Sequence, residues 1–328
     1  MRQTCLNMVR ELAKHDPRVV FIGSDLSPAL CKSETPERWF MEGVAEQNLI
    51  GMAAGMAMDG LVPYCNTIAT FITRRCYDQV AVDLCMHNLP VRLIGNGGGM
   101  VYSPLGPTHL AIEDIAIMRA LPNMTVVAPC DADEMKAVME ASLDWPHPMY
   151  IRLARGGEDV VSDKAQSRFN MERARLMTPT VRPPVAFMST GVMTQNCLNA
   201  AAGLAAHDIE CAVVHFPVIK PLDWHAAVAW AGTRLTVTVE EGIRSGGFGT
   251  AVREAITAVR QDEVMSLGID DRFPESYGTR EDLWEQFGLM PAQIVRSVLE
   301  RLKSIASSRD VGQFPLPLSP SPVLTRDL

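Results

Sequence analysis

The chain has 328 residues, a formal net charge of −8 and 47% hydrophobic side chains. That length suits two domains, each with its own core. The acidic balance and the lack of any apolar run near the ~18 residues of a membrane span argue against nucleic-acid and membrane functions.

In chain order, MRQTCLNMVRELAKHD reads as an amphipathic helix with no apolar signal core, as expected of a cytoplasmic protein. Val19 to Asp25 predicts a buried strand and Glu46 to Asp59 a helix rich in Ala, Gly and Met. VPYCNTIA predicts a strand, Thr73 to Met86 a helix, and Pro90 to Asn96 a strand. Thr108 to Arg119 predicts a helix, Met124 to Pro129 a strand, Asp131 to Ser142 a helix, and Pro148 to Ala154 a closing strand. Such alternation implies a parallel sheet covered on both faces. The polar stretch 157–183 reads as a linker. A second alternation follows, from VAFMSTG through ECAVVHF, LTVTVEEG and VMSLGI to a final helix from Pro291 to about Ser304. The fold class is therefore α/β, with two domains of mostly parallel sheet flanked by helices, at 1–156 and 184–306. The tail 307–328 is rich in Pro, Ser and Leu and is expected to be extended or disordered. The eight cysteines form no CxxC pair and no zinc spacing, so they read as reduced and mostly buried.

Two residues carry candidate chemistry. Glu46 opens a helix that is otherwise apolar and small, where a carboxylate is costly to bury without a partner. It serves equally well, on this reading alone, to satisfy the helix N-terminus. The small residues Gly51, Ala54 and Gly55 would allow close helix approach, as at a subunit interface. His109 is expected at the opening turn of a helix capped by Thr108, where a positive helix end favours neutral imidazole. A capping or structural histidine fits the same pattern. The run Gly97–Gly98–Gly99 would let backbone approach a ligand, although it lacks the strand and helix context of a dinucleotide site.

Taken together, GVAEQNLIGMAAGMAMDGL, TFITRRCYDQV, GPTHLAIEDIAIMRALPNMTVVAPCDADEM and VEEGIRSGGFGTAV resemble the transketolase family, and its relative 1-deoxyxylulose-5-phosphate synthase, over roughly Arg2 to Leu302. The resemblance implies a pyrimidine-binding domain followed by a transketolase C-terminal domain. It also implies a ketol transfer from a ketose donor to an aldehyde acceptor, dependent on thiamine diphosphate. Glu46 would hydrogen-bond N1′ of the aminopyrimidine and favour the tautomer that removes the C2 proton. Phe71 would pack on that ring, with Tyr77 nearby and Arg74 at a further aromatic position of the family. His109 would contact the donor's oxygens and move protons. Arg2 and Arg155 fall where the family places phosphate-binding arginines.

The sequence departs from the family at three positions. Leu105 replaces the family acid before GPTH, Gly97 a phosphate-binding histidine, and Ala29 a phosphate-binding serine. These changes imply an unphosphorylated or unusual substrate. The GDG motif that holds the diphosphate and magnesium is absent, and no metal ligands are expected in this chain. The magnesium and diphosphate wall are expected from a partner subunit, in an α₂β₂ assembly. Two alternatives stand beside this reading: the β subunit of a 2-oxo-acid dehydrogenase's decarboxylating component, and a non-catalytic scaffold. Decarboxylative condensation of the deoxyxylulose-phosphate type is a third chemistry to separate by a donor screen.

Overall fold

The computed structural model describes residues 1–24, 34–180, 183–259 and 264–310, with side chains described as far as Ser307. Asp25, Ala29, Cys31, residues 181 and 182 of the expected linker, and the Pro-rich tail from Val311 lie outside the described residues.

The first sheet has strands β1 (Val19–Ser24), β2 (Trp39–Glu42), β3 (Val62–Ile68), β4 (Arg92–Asn96), β5 (Thr125–Val127) and β6 (Met149–Leu153). These run parallel in the spatial order β5-β6-β4-β3-β1-β2. β1, β4, β5 and β6 are buried along their whole length, as expected of apolar runs covered on both faces. Helix α1 (Arg2–His15) buries Cys5, Leu6, Val9 and Ala13, a stripe at helical spacing. It packs on α5 (Ala132–Ser142), where Cys5 Sγ lies 3.5 Å from Met139 Sδ. The Asp131 side chain caps α5 by accepting from the Asp133 and Glu134 N–H groups.

The opposite face carries α2 (Glu46–Met58) and α3, which is helical over Phe71–Arg75, Tyr77–Gln79 and Val80–Met86. Most of α3 is π-helix, a wide turn absent from the simple periodic expectation. Helix α4 is shorter than expected, Asp114–Ala120 rather than Thr108–Arg119. The backbone of Ala111 instead exchanges hydrogen bonds with Gly99, at 2.9 and 3.1 Å, and Ile112 O accepts from Ile243 N. Backbone committed to those partners is not free to form helical bonds.

The second sheet contains β7 (Arg175–Leu176), β8 (Val185–Ser189), β9 (Cys211–His215), β11 (Leu235–Ile243) and β12 (Val264–Ile269), in the order β12-β11-β8-β9-β7. Its helices are α6 (Met193–Ala205), α7 (Trp224–Ala231), α8 (Phe248–Thr257), α9 (Arg280–Gln286) and α10 (Pro291–Asp310). Two features correct the sequence reading. The stretch expected as a linker contains β7, which pairs antiparallel with β9. In addition, β10 (Val218–Lys220), from the second half, joins the first sheet antiparallel to β5. The two halves thus share a sheet edge.

Buried ion pairs reinforce that junction. Glu134 of α5 accepts from Arg175 at 2.6 Å and from His215 Nε2 at 2.7 Å, with all three buried. Arg152 pairs with Asp114 at 2.8 Å and donates to Glu241 O at 2.6 Å. The seven described cysteines are buried and form no disulfide. No described helix is long and apolar enough to cross a membrane.

Candidate active site

In the first sheet, the chain runs from β1 outward to β2 and then returns to β3 on the other side of β1. Parallel sheets bind ligands at such reversals, outside the carboxyl ends of the strands. The carboxyl ends of β1, β3 and β4 here carry Ser24, Thr67 and Asn96, all buried.

Glu46 stands at this point, on the first turn of α2, and is 1% exposed. Its Oε1 accepts from Ser24 Oγ and Thr67 Oγ1, both at 3.3 Å, and its Oε2 from Arg75 Nη1 at 2.7 Å. The carboxylate is therefore engaged by side chains from β1, β3 and α3. Sequence reasoning found Glu46 and missed these three partners. Ser24 and Thr67 are small polar residues at strand ends, a weak signal on their own.

Phe71 lies half-buried at the start of α3, with its ring edge-on to His109 at 5.3 Å between centroids. The Arg75 guanidinium lies over the Phe71 ring, 4.1 Å from its centroid. A flat, nitrogen-bearing group thus already rests on Phe71 while bonded to Glu46.

His109 sits in a turn ahead of α4 rather than at its opening, so the helix-end argument for its neutral form does not apply. Thr108 does not cap a helix. Its Oγ1 lies 2.9 Å from His109 Nδ1, which leaves Nε2 as the ring nitrogen free of that contact. Thr70 Oγ1 donates to His109 O at 2.9 Å, fixing the turn against α3.

The other two residues expected at the pyrimidine, Tyr77 and Arg74, make contacts with α4, the His109 turn and the second half of the chain. Tyr77 donates its hydroxyl to Ile117 O at 2.9 Å and is thus engaged with α4. Arg74 pairs with Glu113, donates to Leu110 O at 2.9 Å and lies over Phe273, 5.4 Å from its centroid. It braces the His109 turn against the second half of the chain.

Arg2, Leu105 and Arg155, far apart in sequence, line one cavity of about 310 Å³ together with Gly97 and Tyr102. Among the described residues neither arginine has an ion-pair partner. A neighbouring cavity of about 470 Å³ shares Arg155 and extends between the two halves to Gln195, Arg280 and Trp284. Leu105 is 50% exposed and lines this cavity with an apolar side chain where the family carries an acid. At Gly97, φ is +70° and a Cβ would lie 2.2 Å from the Tyr102 ring. The space a histidine would use there is filled by Tyr102.

The glycine run also has a packing explanation. A Cβ at Gly98 would meet Arg152 at 2.3 Å, and one at Gly99 would meet Glu241 at 2.4 Å. The VEEG motif belongs to the same junction. Glu241 accepts from Arg280 at 2.6 Å and from Trp284 Nε1 at 2.8 Å. Burial pushes its carboxyl up, and Arg280, Arg152 and Trp284 together more than offset this, leaving it below the usual range. Glu240 accepts from the Gly249 and Phe248 N–H groups, yet burial outweighs these bonds and pushes its carboxyl up to about 7.

Among the described residues, Cys130, Glu134 and His215 are grouped as metal ligands would be, within 4.8 Å. Arg175 already neutralises that carboxylate and the group is buried, so it reads as a structural lock.

Comparison with known proteins gives a consistent result. Residues 1–158 match the family model of the transketolase pyrimidine binding domain, and residues 178–294 that of the transketolase C-terminal domain. The chain is 34% identical to an uncharacterised transketolase family protein of Sinorhizobium fredii (strain NBRC 101917 / NGR234), covering 89% of this chain and 86% of that protein. It is 33% identical to a 6-deoxy-6-sulfo-D-fructose transketolase subunit of Clostridium sp. (strain MSTE9), over 92% of this chain and 94% of the relative. Among solved structures, a split gene transketolase described as an inactive β4 tetramer superimposes with a TM-score of 0.83 at 34% identity, covering 92% of this chain and 98% of its own.

Proposed function

This chain belongs to the transketolase family, and from that premise we propose that it is one subunit of a split transketolase. In this reading it binds the aminopyrimidine of thiamine diphosphate and moves a two-carbon ketol unit from a ketose to an aldehyde. The observation that carries the proposal is one constellation, with Glu46 buried at the sheet's switch point, linked through Arg75 to Phe71, and His109 edge-on to the Phe71 ring. Thiamine diphosphate, when bound, supplies the carbanion stabilisation that side chains lack. Glu46 would hold the ring at N1′, with Ser24 and Thr67 fixing the carboxylate's orientation. Phe71 would present a flat apolar face to the ring. His109, whose Nε2 lies outside the Thr108 contact, would give and take the proton of the sugar hydroxyl beside the reacting carbon.

The sequence lacks the GDG motif through which the family holds magnesium and the diphosphate. A second polypeptide would supply that wall, in an α₂β₂ complex in the cytoplasm. The relative described as an inactive β4 tetramer supports a chain of this kind needing a partner. Arg2 and Arg155, on one cavity and without ion-pair partners among the described residues, support a substrate with an anionic end group, either phosphate or sulfonate. The sulfofructose transketolase relative favours the second.

The test is a donor screen of the assembled enzyme with a ketose phosphate, a ketose sulfonate and pyruvate. Ketol transfer from either sugar, lost by at least ~100-fold in Glu46→Gln, supports the proposal. Turnover of pyruvate alone would move the reaction to decarboxylative chemistry. Full activity of an enzyme containing Glu46→Gln would make this chain a scaffold.

A further inference from the structure

We propose that Arg75 is a displaceable stand-in for the cofactor's aminopyrimidine, which holds Glu46 and the face of Phe71 until the ring arrives. The inference rests on the reading of Glu46 and Phe71 as the pyrimidine site. Three observations carry it.

The first is the double contact of the guanidinium. It donates to Glu46 Oε2 at 2.7 Å and lies over the Phe71 ring at 4.1 Å. A guanidinium is planar and delocalised, stacks on aromatic faces and donates N–H groups in its own plane. An aminopyrimidine resting on Phe71 with N1′ at Glu46 needs the same two surfaces, and both groups cannot use them together.

The second is the local backbone. Phe71–Arg75 is a π-helical turn, a rare geometry that clusters at functional sites. Phe71 and Arg75 stand at its two ends, and there the Arg75 side chain folds back over the Phe71 ring.

The third is the asymmetry of the pair. The Glu46 side chain is 1% exposed and that of Arg75 is 39% exposed. A buried carboxylate without a partner is expensive, whereas a long, part-exposed arginine loses little on swinging into water. Arg75 therefore stabilises the cofactor-free chain and gives way at modest cost. Cofactor binding must repay that displacement, and the diphosphate contacts of a partner subunit would supply the surplus. Cofactor uptake is thereby coupled to assembly.

The experiment compares wild type, Arg75→Ala and Arg75→Lys, each assembled with the diphosphate-domain subunit. Calorimetry with thiamine diphosphate and magnesium measures affinity, and thermal melting measures stability with and without the cofactor. The expected result is binding about tenfold tighter in Arg75→Ala, about 1.4 kcal/mol, with Arg75→Lys between it and wild type. The cofactor-free melting point should fall in Arg75→Ala while the cofactor-induced rise grows. A partner-independent readout uses the full chain alone with a 4-aminopyrimidine fragment, followed by ligand-observed NMR, and Arg75→Ala should bind it more tightly than wild type. Equal or weaker binding in Arg75→Ala, with the wild-type complex still binding thiamine diphosphate, overturns the stand-in role alone. Failure of every complex to bind thiamine diphosphate overturns the underlying reading and this proposal with it. Should Arg75→Ala not fold, Arg75→Lys decides the question by the same comparison.

Discussion

Replacing Glu134 by Gln tests whether the two halves of the chain are locked by the buried cluster at their junction. Burial pushes the Glu134 carboxyl up, but the charge and hydrogen bond of His215, the Cys130 N–H and Arg175 more than offset this, bringing it from an ordinary 4.5 to about 2. Because the folded value is lower, the unfolded chain takes up the proton first. The stabilisation is complete above pH 4.5 and is lost as pH falls through about 2. At ~1.4 kcal/mol per tenfold difference, the carboxylate contributes roughly 3 kcal/mol at neutral pH. That figure agrees with the 3–5 kcal/mol expected when one member of a buried ion pair is removed. Glutamine keeps the size of the side chain but accepts at one oxygen only, so one of Arg175 and His215 loses its acceptor. Urea unfolding at pH 7 should show a midpoint lower by about 1 M, for a slope near ~3 kcal/mol per molar. The gap between wild type and variant should narrow as pH drops from 4.5 toward 2. A midpoint within 0.2 M (roughly 0.6 kcal/mol) of wild type, or an unchanged gap across that pH range, would refute the lock.

Leu105→Asp places a carboxylate on the cavity that holds Arg2 and Arg155. Its expected effect is a KM for an anionic donor raised about tenfold with kcat little changed, since the lost interaction is ground-state binding. An unchanged KM would separate the arginines from the substrate. Gly99→Ala must adopt φ near +66° and set a Cβ 2.4 Å from the Glu241 carboxylate. It should cost at least ~1–2 kcal/mol in a thermal melt of the chain. Gly51→Ala, in a helix with nothing within 4 Å of the new methyl, should instead stabilise the isolated chain by up to ~1 kcal/mol.

The fold was legible where burial imposes a pattern. The apolar runs at Val19–Ser24, Arg92–Asn96 and Val185–Ser189 are central strands buried from end to end, and such strands announce themselves by composition. β7 and β10 were not legible, because two or three residues of Arg, Leu, Val, Ile and Lys carry no period. LAIEDIA imitates a helical repeat, and only the distant partners Gly99 and Ile243 claim its backbone for another shape. Glu46 stood out as a carboxylate among apolar neighbours, a cost that calls for a purpose. The Arg175–Glu134–His215 lock joins residues 41 and 81 positions apart, beyond the reach of any local motif. Arg74 and Arg75 looked alike in sequence. The π turn between Phe71 and Arg75 sends one to Glu113 and the other to Glu46.

The most direct test of the split-site account is calorimetric titration of thiamine diphosphate, with and without magnesium, into this chain, into the proposed diphosphate-domain partner, and into the two together. The account predicts tight, magnesium-dependent binding by the pair alone. Tight binding by this chain on its own would contradict it.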